Sequence, residues 1–129
     1  MSNAVVLSVP SNLWAKSPAA GQLGGETLRE HTRNVTTVLE HLYRLHPNIG
    51  VAFDSPRFWH RAYWACFLHD FGKAANGFQR QLRVGGARWD RRHEVLSLAF
   101  VPWIIGPNSS DYPWVVAAIA SHHKERDVL

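Results

Sequence analysis

The uncharged run Ala62-Tyr63-Trp64-Ala65-Cys66-Phe67-Leu68 ends on the pair His69-Asp70, with Phe71-Gly72-Lys73 directly behind it. Residues this apolar belong to a buried helix, and a carboxylate at the carbonyl end of such a helix is doubly unfavourable: it is desolvated and it faces the negative pole. Asp70 therefore needs a cation. Other histidines of the chain stand in comparable settings. His122-His123 closes the apolar stretch 114–121, and His31 and His93 each fall within a helical pattern. Several imidazoles converging with one carboxylate make a site for transition-metal ions.

The pattern around these residues is helical throughout. Thr27 and Glu30 carry a capping-box signature, and Leu28, His31, Val35, Val38, Leu42 and Leu45 recur at intervals of three and four, which predicts a helix with His31 facing inward, ended by Pro47-Asn48. Asp54-Ser55-Pro56 predicts a turn into a second, central helix with Pro56 at its first position, running to about Asp70 and ending near Gly72. A short helix is expected over 74–82 and a turn at Val84-Gly85-Gly86. Asp90 is expected to cap the next helix, in which His93, Leu96 and Phe100 share a face until Pro102 stops it. Asp111 or Ser110 precedes Pro113 and a last apolar helix ending at His122-His123. Residues 1–25, with Pro10 and Pro18, read as an irregular lead-in anchored by Leu13-Trp14. With no alternating strand signal, the expected fold is all-α, its active site between helices.

At 129 residues and 46% hydrophobic, the chain has room for one domain over residues 1–129. The single cysteine, Cys66, cannot form an internal disulfide and is expected as a core residue of a cytoplasmic protein. The apolar runs are too short to span a bilayer, and no basic residue precedes Lys16, so neither a membrane span nor a secretory signal is expected.

Consecutive helical residues point roughly 100° apart, so His69 and Asp70 can both act as ligands only at a site between helices. A carboxylate there can bridge two metals about 3.5–4 Å apart, a pair that activates water and clamps the oxygens of a phosphodiester. Imidazole-rich surroundings suit Mn, Fe, Co, Ni or Zn, whereas Mg, which prefers oxygen ligands, is less favoured. Each residue also has a structural explanation. His31 fits a core histidine bonded to a carbonyl, His93 the first turn of its helix, and His122-His123 a cationic helix end; Asp70 fits an ion pair with Lys73. Together these explanations require several buried polar groups to find unrelated partners, which one metal site supplies at once. His41, His46 and His60 fall outside the set. Lys73 suits a supporting role, hydrogen-bonding Asp70 or meeting a phosphate.

The formal charge of +4 favours anionic partners. Arg80, Arg83, Arg88, Arg91 and Arg92 fall between His69-Asp70 and His93 with Trp89 among them, a mixture that can hold a phosphate backbone and stack a base. A solvated loop and helix face fits the same residues.

Leu13-Trp14-Ala15-Lys16-Ser17, Glu30-His31-Thr32, His69-Asp70-Phe71-Gly72-Lys73, Phe78-Gln79, Arg92-His93-Glu94 and Ser121-His122-His123, in that order, resemble the HD nuclease domain of the CRISPR-associated helicase-nuclease of type I systems. The resemblance runs over nearly the whole chain. It implies an α-helical HD-superfamily domain that cleaves single-stranded DNA with divalent metals, acting on foreign DNA exposed by an RNA-guided surveillance complex and fed by a helicase, fused or separate. By that likeness His31, His69 and Asp70 hold one ion, Asp70 with His93, His122 and His123 holds the second, and Lys73 belongs to the active-site shell. The family pattern has a further aspartate ligand well downstream of the double histidine. Asp127 is too close to be that ligand, so the chain is expected to lack the C-terminal part of the family domain. An HD-type nucleotide phosphohydrolase and a catalytically incomplete docking module are the competing functions.

Overall fold

The computed structural model describes residues 12–83 and 85–123. The expectations that touch Pro10, Val84 and Asp127 lie outside them. Among the described residues the secondary structure is helical, with one isolated β-bridge between Trp14 and Thr27, and no helix is long and apolar enough to cross a membrane.

Helix α1 (Leu28–Leu45) begins on the full capping box: Glu30 N–H donates to Thr27 Oγ1 at 3.1 Å, and Thr27 N–H donates to Glu30 Oε2 at 2.9 Å. Its buried face differs from the expected stripe. Leu28 and Thr32 are buried and Val35, Thr36 and Leu39 half-buried, whereas Val38, Leu42 and Leu45 are 57%, 44% and 71% exposed. Thr36 can face inward because its hydroxyl donates to Thr32 O at 2.9 Å. Polarity along the sequence pointed to one face of α1, and the neighbouring face turned toward the core, with the Thr36 hydroxyl satisfied within the helix and Thr32 Oγ1 buried without a hydrogen bond.

After the short α2 (Ile49–Ala52), the chain turns through Asp54, a non-glycine residue at φ 49°, into α3 (Phe58–Leu68). Helix α3 is capped by Arg57, so Pro56 stands before the helix rather than at its first position. It packs between α1 and α7 (Tyr112–Ser121), the central place its composition predicts. Its last residue, Leu68, is fully buried in the core with Val101, Ile105, Val115 and Ile119. His69 and Asp70 emerge directly from that core.

A 3-10 turn (Phe71–Ala74) leads into α4 (Asn76–Gln81), the short helix expected over 74–82, which starts two residues later than expected. Helix α5 (His93–Ser97) is capped by Arg92, with no side-chain bond from Asp90, which is exposed. Pro102 does not stop the segment. A second 3-10 turn (Leu98–Phe100) runs into α6 (Val101–Ile104), and Pro102 occupies the first turn of that new helix, where its missing N–H would have had no partner. Asp111 precedes α7 without a capping bond; its buried carboxylate instead takes Arg57 Nη2 at 2.6 Å and Arg61 Nε at 2.8 Å, tying the starts of α3 and α7 together.

The lead-in anchor is held by polar bonds as well as by Trp14. Gln79 Oε1 accepts Trp14 N–H at 2.9 Å, while Gln79 Nε2 donates to Trp14 O at 2.8 Å and to Lys73 O at 2.7 Å. One buried amide thus fastens the extended segment to the turn that carries Lys73.

Candidate metal centre

Asp70 is the hub. Its side chain is 3% exposed, and four imidazole nitrogens and one ammonium surround it. On the Oδ2 side stand Lys73 Nζ at 2.8 Å, His31 Nε2 at 3.0 Å and His69 Nε2 at 3.3 Å. On the Oδ1 side stand His93 Nε2 at 3.1 Å and His122 Nε2 at 3.6 Å. His123 Nε2 lies 3.1 Å from His93 Nε2. The possible ligand atoms of His31, His69 and Asp70 fall within 4.8 Å of one another, as do those of Asp70, His93, His122 and His123. Every histidine singled out in the sequence is brought to this place, and so is Lys73, whose pairing with Asp70 coexists with the imidazoles rather than replacing them.

The elements bring these residues together for local reasons. His69 follows the last turn of α3, where free carbonyls are available, and its Nδ1–H donates to Cys66 O at 2.6 Å. His122 repeats the arrangement at the end of α7, donating Nδ1–H to Ile119 O at 2.5 Å. Gly72 lets the 3-10 turn press against α5: its N–H donates to Ser97 Oγ at 2.8 Å, and Ser97 Oγ–H donates to His93 O at 3.0 Å. That contact sets His93 against Asp70. Ser97 is buried completely and carried no signal in the sequence, because its partners lie across a tertiary contact.

A ring that donates its Nδ1–H outward presents, when neutral, a lone pair at Nε2. At His69 and His122 those nitrogens face carboxylate oxygens, an arrangement satisfied by a proton on the ring or by a cation between the donors. Asp70 Oδ1 is buried without a hydrogen bond, although His93 Nε2 is near enough to make one. Donor atoms at right angles on one ion, each at about 2.1 Å from it, stand about 3.0 Å apart. The His31 and His93 spacings from Asp70, 3.0 and 3.1 Å, match that value, those of His69 and His122 are longer at 3.3 and 3.6 Å, and the nitrogen-rich donor set fits divalent transition metals.

Without an ion, protons carry part of this role. Burial acts to raise the Asp70 carboxyl, but the close contacts with His69, His93 and Lys73 outweigh it and hold the group far below the usual carboxylate range. Burial acts to lower His69, and the Asp70 contact together with the Cys66 carbonyl reverses this, leaving it raised. His31 is lowered, burial outweighing the attraction of Asp70 and Glu26; His123 is lowered by burial and by its histidine neighbours.

The arginines separate into two groups. Arg80, Arg83 and Arg88 line, with Trp89, an open hollow of about 490 Å³ beside α4. Arg83 also stacks over Trp14 at 3.7 Å from the ring centroid. Arg91 has Asp90 beside it at 3.8 Å, and Arg92 pairs with Glu94. His60 stands outside the cluster, 3.6 Å from Asp111; His41 and His46 are exposed on and just after α1. A larger hollow of about 570 Å³ between α1 and α3, bordered by Tyr43, Trp59 and Tyr63, contains none of the clustered imidazoles. Glu26 was missed. It stands against His31, and nothing but its nearness to the Thr27 cap marked it in the sequence.

No curated protein and no solved structure matches the chain. The family described as Cas3, HD domain matches it over residues 14–128, from the Trp14 anchor through the His122-His123 pair, and the chain belongs to that family of CRISPR-associated HD nucleases, whose domains bind divalent metals.

Proposed function

We propose that this chain is a metal-dependent nuclease that cuts single-stranded DNA in type I CRISPR interference. The observation that carries the reading is the meeting of imidazoles from α1, α3, α5 and α7 around the buried Asp70, whose Oδ1 has no hydrogen bond. His31, His69 and Asp70 are the residues to hold one ion; Asp70, His93, His122 and His123 are those to hold a second. Mn, Fe, Co, Ni or Zn suits these donors better than Mg. When bound, such ions supply acidified water and positive charge for the oxygens of a phosphodiester. The protein's own part is to hold the neutral imidazoles in register and to keep Asp70 ionised. Lys73, buried 2.8 Å from Asp70, contributes a fixed positive charge at the edge of the site. Arg80 and Arg88 hold the strand's phosphates beside Trp89, with Arg83, Arg91 and Arg92 adding to the positive field. A helicase delivers the strand from DNA opened by the surveillance complex, in the cytoplasm, to this single domain.

A nucleotide phosphohydrolase would share the metal chemistry, but the open hollow lined by arginines favours a polymer. The test is release of linear fragments from circular single-stranded DNA with Mn, Co, Ni or Mg, run beside a nucleotide-hydrolysis assay. Cutting is expected with the transition metals and is expected to fall at least about a hundredfold in Asp70→Ala, which removes the shared ligand. Nucleotide hydrolysis without DNA cutting, or an unimpaired Asp70→Ala protein, overturns the reading.

A further inference from the structure

His31 differs from His69 and His122 in where its Nδ1 finds a partner. His69 and His122 follow helix ends and use carbonyls that no helix bond consumes. His31 lies near the start of α1, where the carbonyl behind it, Thr27 O, is taken by its own backbone N–H at 2.9 Å. Its Nδ1 instead stands 3.3 Å from Glu26 Oε2, while its Nε2 faces Asp70 Oδ2 at 3.0 Å. Glu26 is itself fixed. Lys16 Nζ lies 3.0 Å from Oε2, Asn34 Nδ2 donates to Oε1 at 3.1 Å, and the Glu26 carbonyl accepts Ala15 N–H at 2.7 Å. A carboxylate held at several points, on the ring nitrogen opposite the site, is the arrangement that fixes a ligand's tautomer and orientation and raises its basicity.

We infer that Glu26 is the positioning residue of His31: by accepting Nδ1–H it holds the Nε2 lone pair toward Asp70 and so sets the affinity of the His31, His69 and Asp70 set for a divalent ion. The inference rests on the metal reading above, and its test separates the two. Two measurements on the whole 129-residue chain suffice. Nitrogen NMR of the metal-free protein at mildly alkaline pH reads the His31 tautomer, and calorimetric titration with Mn(II) alone reads affinity. The wild type is expected to carry its proton on Nδ1. Glu26→Ala and Glu26→Met, both without an acceptor, are expected to mix the tautomers and to weaken the His31-dependent binding about 10- to 100-fold. Glu26→Gln keeps an acceptor and is expected to restore both readouts to within a few-fold of wild type. Lys16→Met, which removes the other partner of the carboxylate, leaves the tautomer unchanged.

If the acceptor-free variants keep the wild-type tautomer and affinity while His31→Ala loses binding, Glu26 has no positioning role. Glu26→Gln behaving like Glu26→Ala overturns the inference in the same way. A wild-type protein that binds no Mn(II), or a His31→Ala protein that binds as well as wild type, sinks the metal reading instead, and the tautomer still decides whether Glu26 orients the ring. Circular dichroism checks that each variant is folded; Glu26→Met stands in for Glu26→Ala if the shorter side chain costs the fold.

Discussion

A Cβ at position 72 would lie 1.9 Å from the carbonyl oxygen of His93 and 2.8 Å from the amide nitrogen of Ser97. Both obstacles are backbone, so the turn and α5 would have to part. Gly72→Ala is therefore expected to destabilise the protein by about 3 kcal/mol, the upper end for forced overpacking, in urea unfolding. It should weaken Mn(II) binding as well, because the same displacement carries His93 away from Asp70; wild-type stability in this variant would show that the close approach is not needed. The sequence marked Gly72 as the place near which the central helix ends, whereas α3 ends at Leu68 and Gly72 lies within the 3-10 turn that packs on α5. His31, His69, Asp70, His93 and the His122-His123 pair were legible because polar residues interrupted apolar periodicity. Gly72, Ser97 and Glu26 act through contacts between segments distant in the chain or across the α1 start, and no local pattern encodes those.

Element boundaries followed the sequence where capping chemistry is local and departed from it where tertiary bonds take over. The Thr27–Glu30 box starts α1 as expected, since both partners lie within one turn. Asp90 and Asp111 had the right residue type for caps, yet one is exposed and the other is claimed by Arg57 and Arg61. The extended segment around Trp14 shows how a polar side chain can replace a strand partner. Gln79 satisfies the N–H and the C=O of Trp14 and the C=O of Lys73. Gln79→Ala leaves these buried groups without partners and is expected to cost about 2–3 kcal/mol in equilibrium unfolding. Gln79→Glu is a stringent control: it retains the acceptor for Trp14 N–H but loses both donors and sets a carboxylate against two carbonyl oxygens. It should be no more stable than the alanine variant, and a wild-type midpoint in either variant would mean that the amide holds nothing.

At the scale of the whole molecule, the apolar core lies between α3, α6 and α7, and α1 joins it along a face that includes threonine. The proposed metal centre bridges these parts, since His31 comes from α1, His69, Asp70, His122 and His123 follow the ends of α3 and α7, and His93 opens α5. An ion that binds the folded chain and not the unfolded one stabilises it by about 2.7 kcal/mol at a hundred times its dissociation constant. For a domain of this size that is a rise in Tm of roughly 10 °C. Mn(II) is expected to give such a rise, chelator to reverse it, and Asp70→Asn to abolish it. The pH dependence follows from His69. Its raised pKa means that the metal-free fold gains stability from the bound proton below about 6.5, the ordinary imidazole value, and loses that gain as pH rises through the folded-state value. The ion must displace the same proton. Both effects make the Mn(II) increment grow as pH rises through the neutral range and level off once His69 is neutral. Burial favours neutral His31 and His123, whereas the raised His69 holds a proton that opposes the ion. Thermal unfolding with and without Mn(II) across that range reads the increment directly. An increment that stays flat with pH, or that survives Asp70→Asn, would mean that the ion binds away from the imidazoles around Asp70.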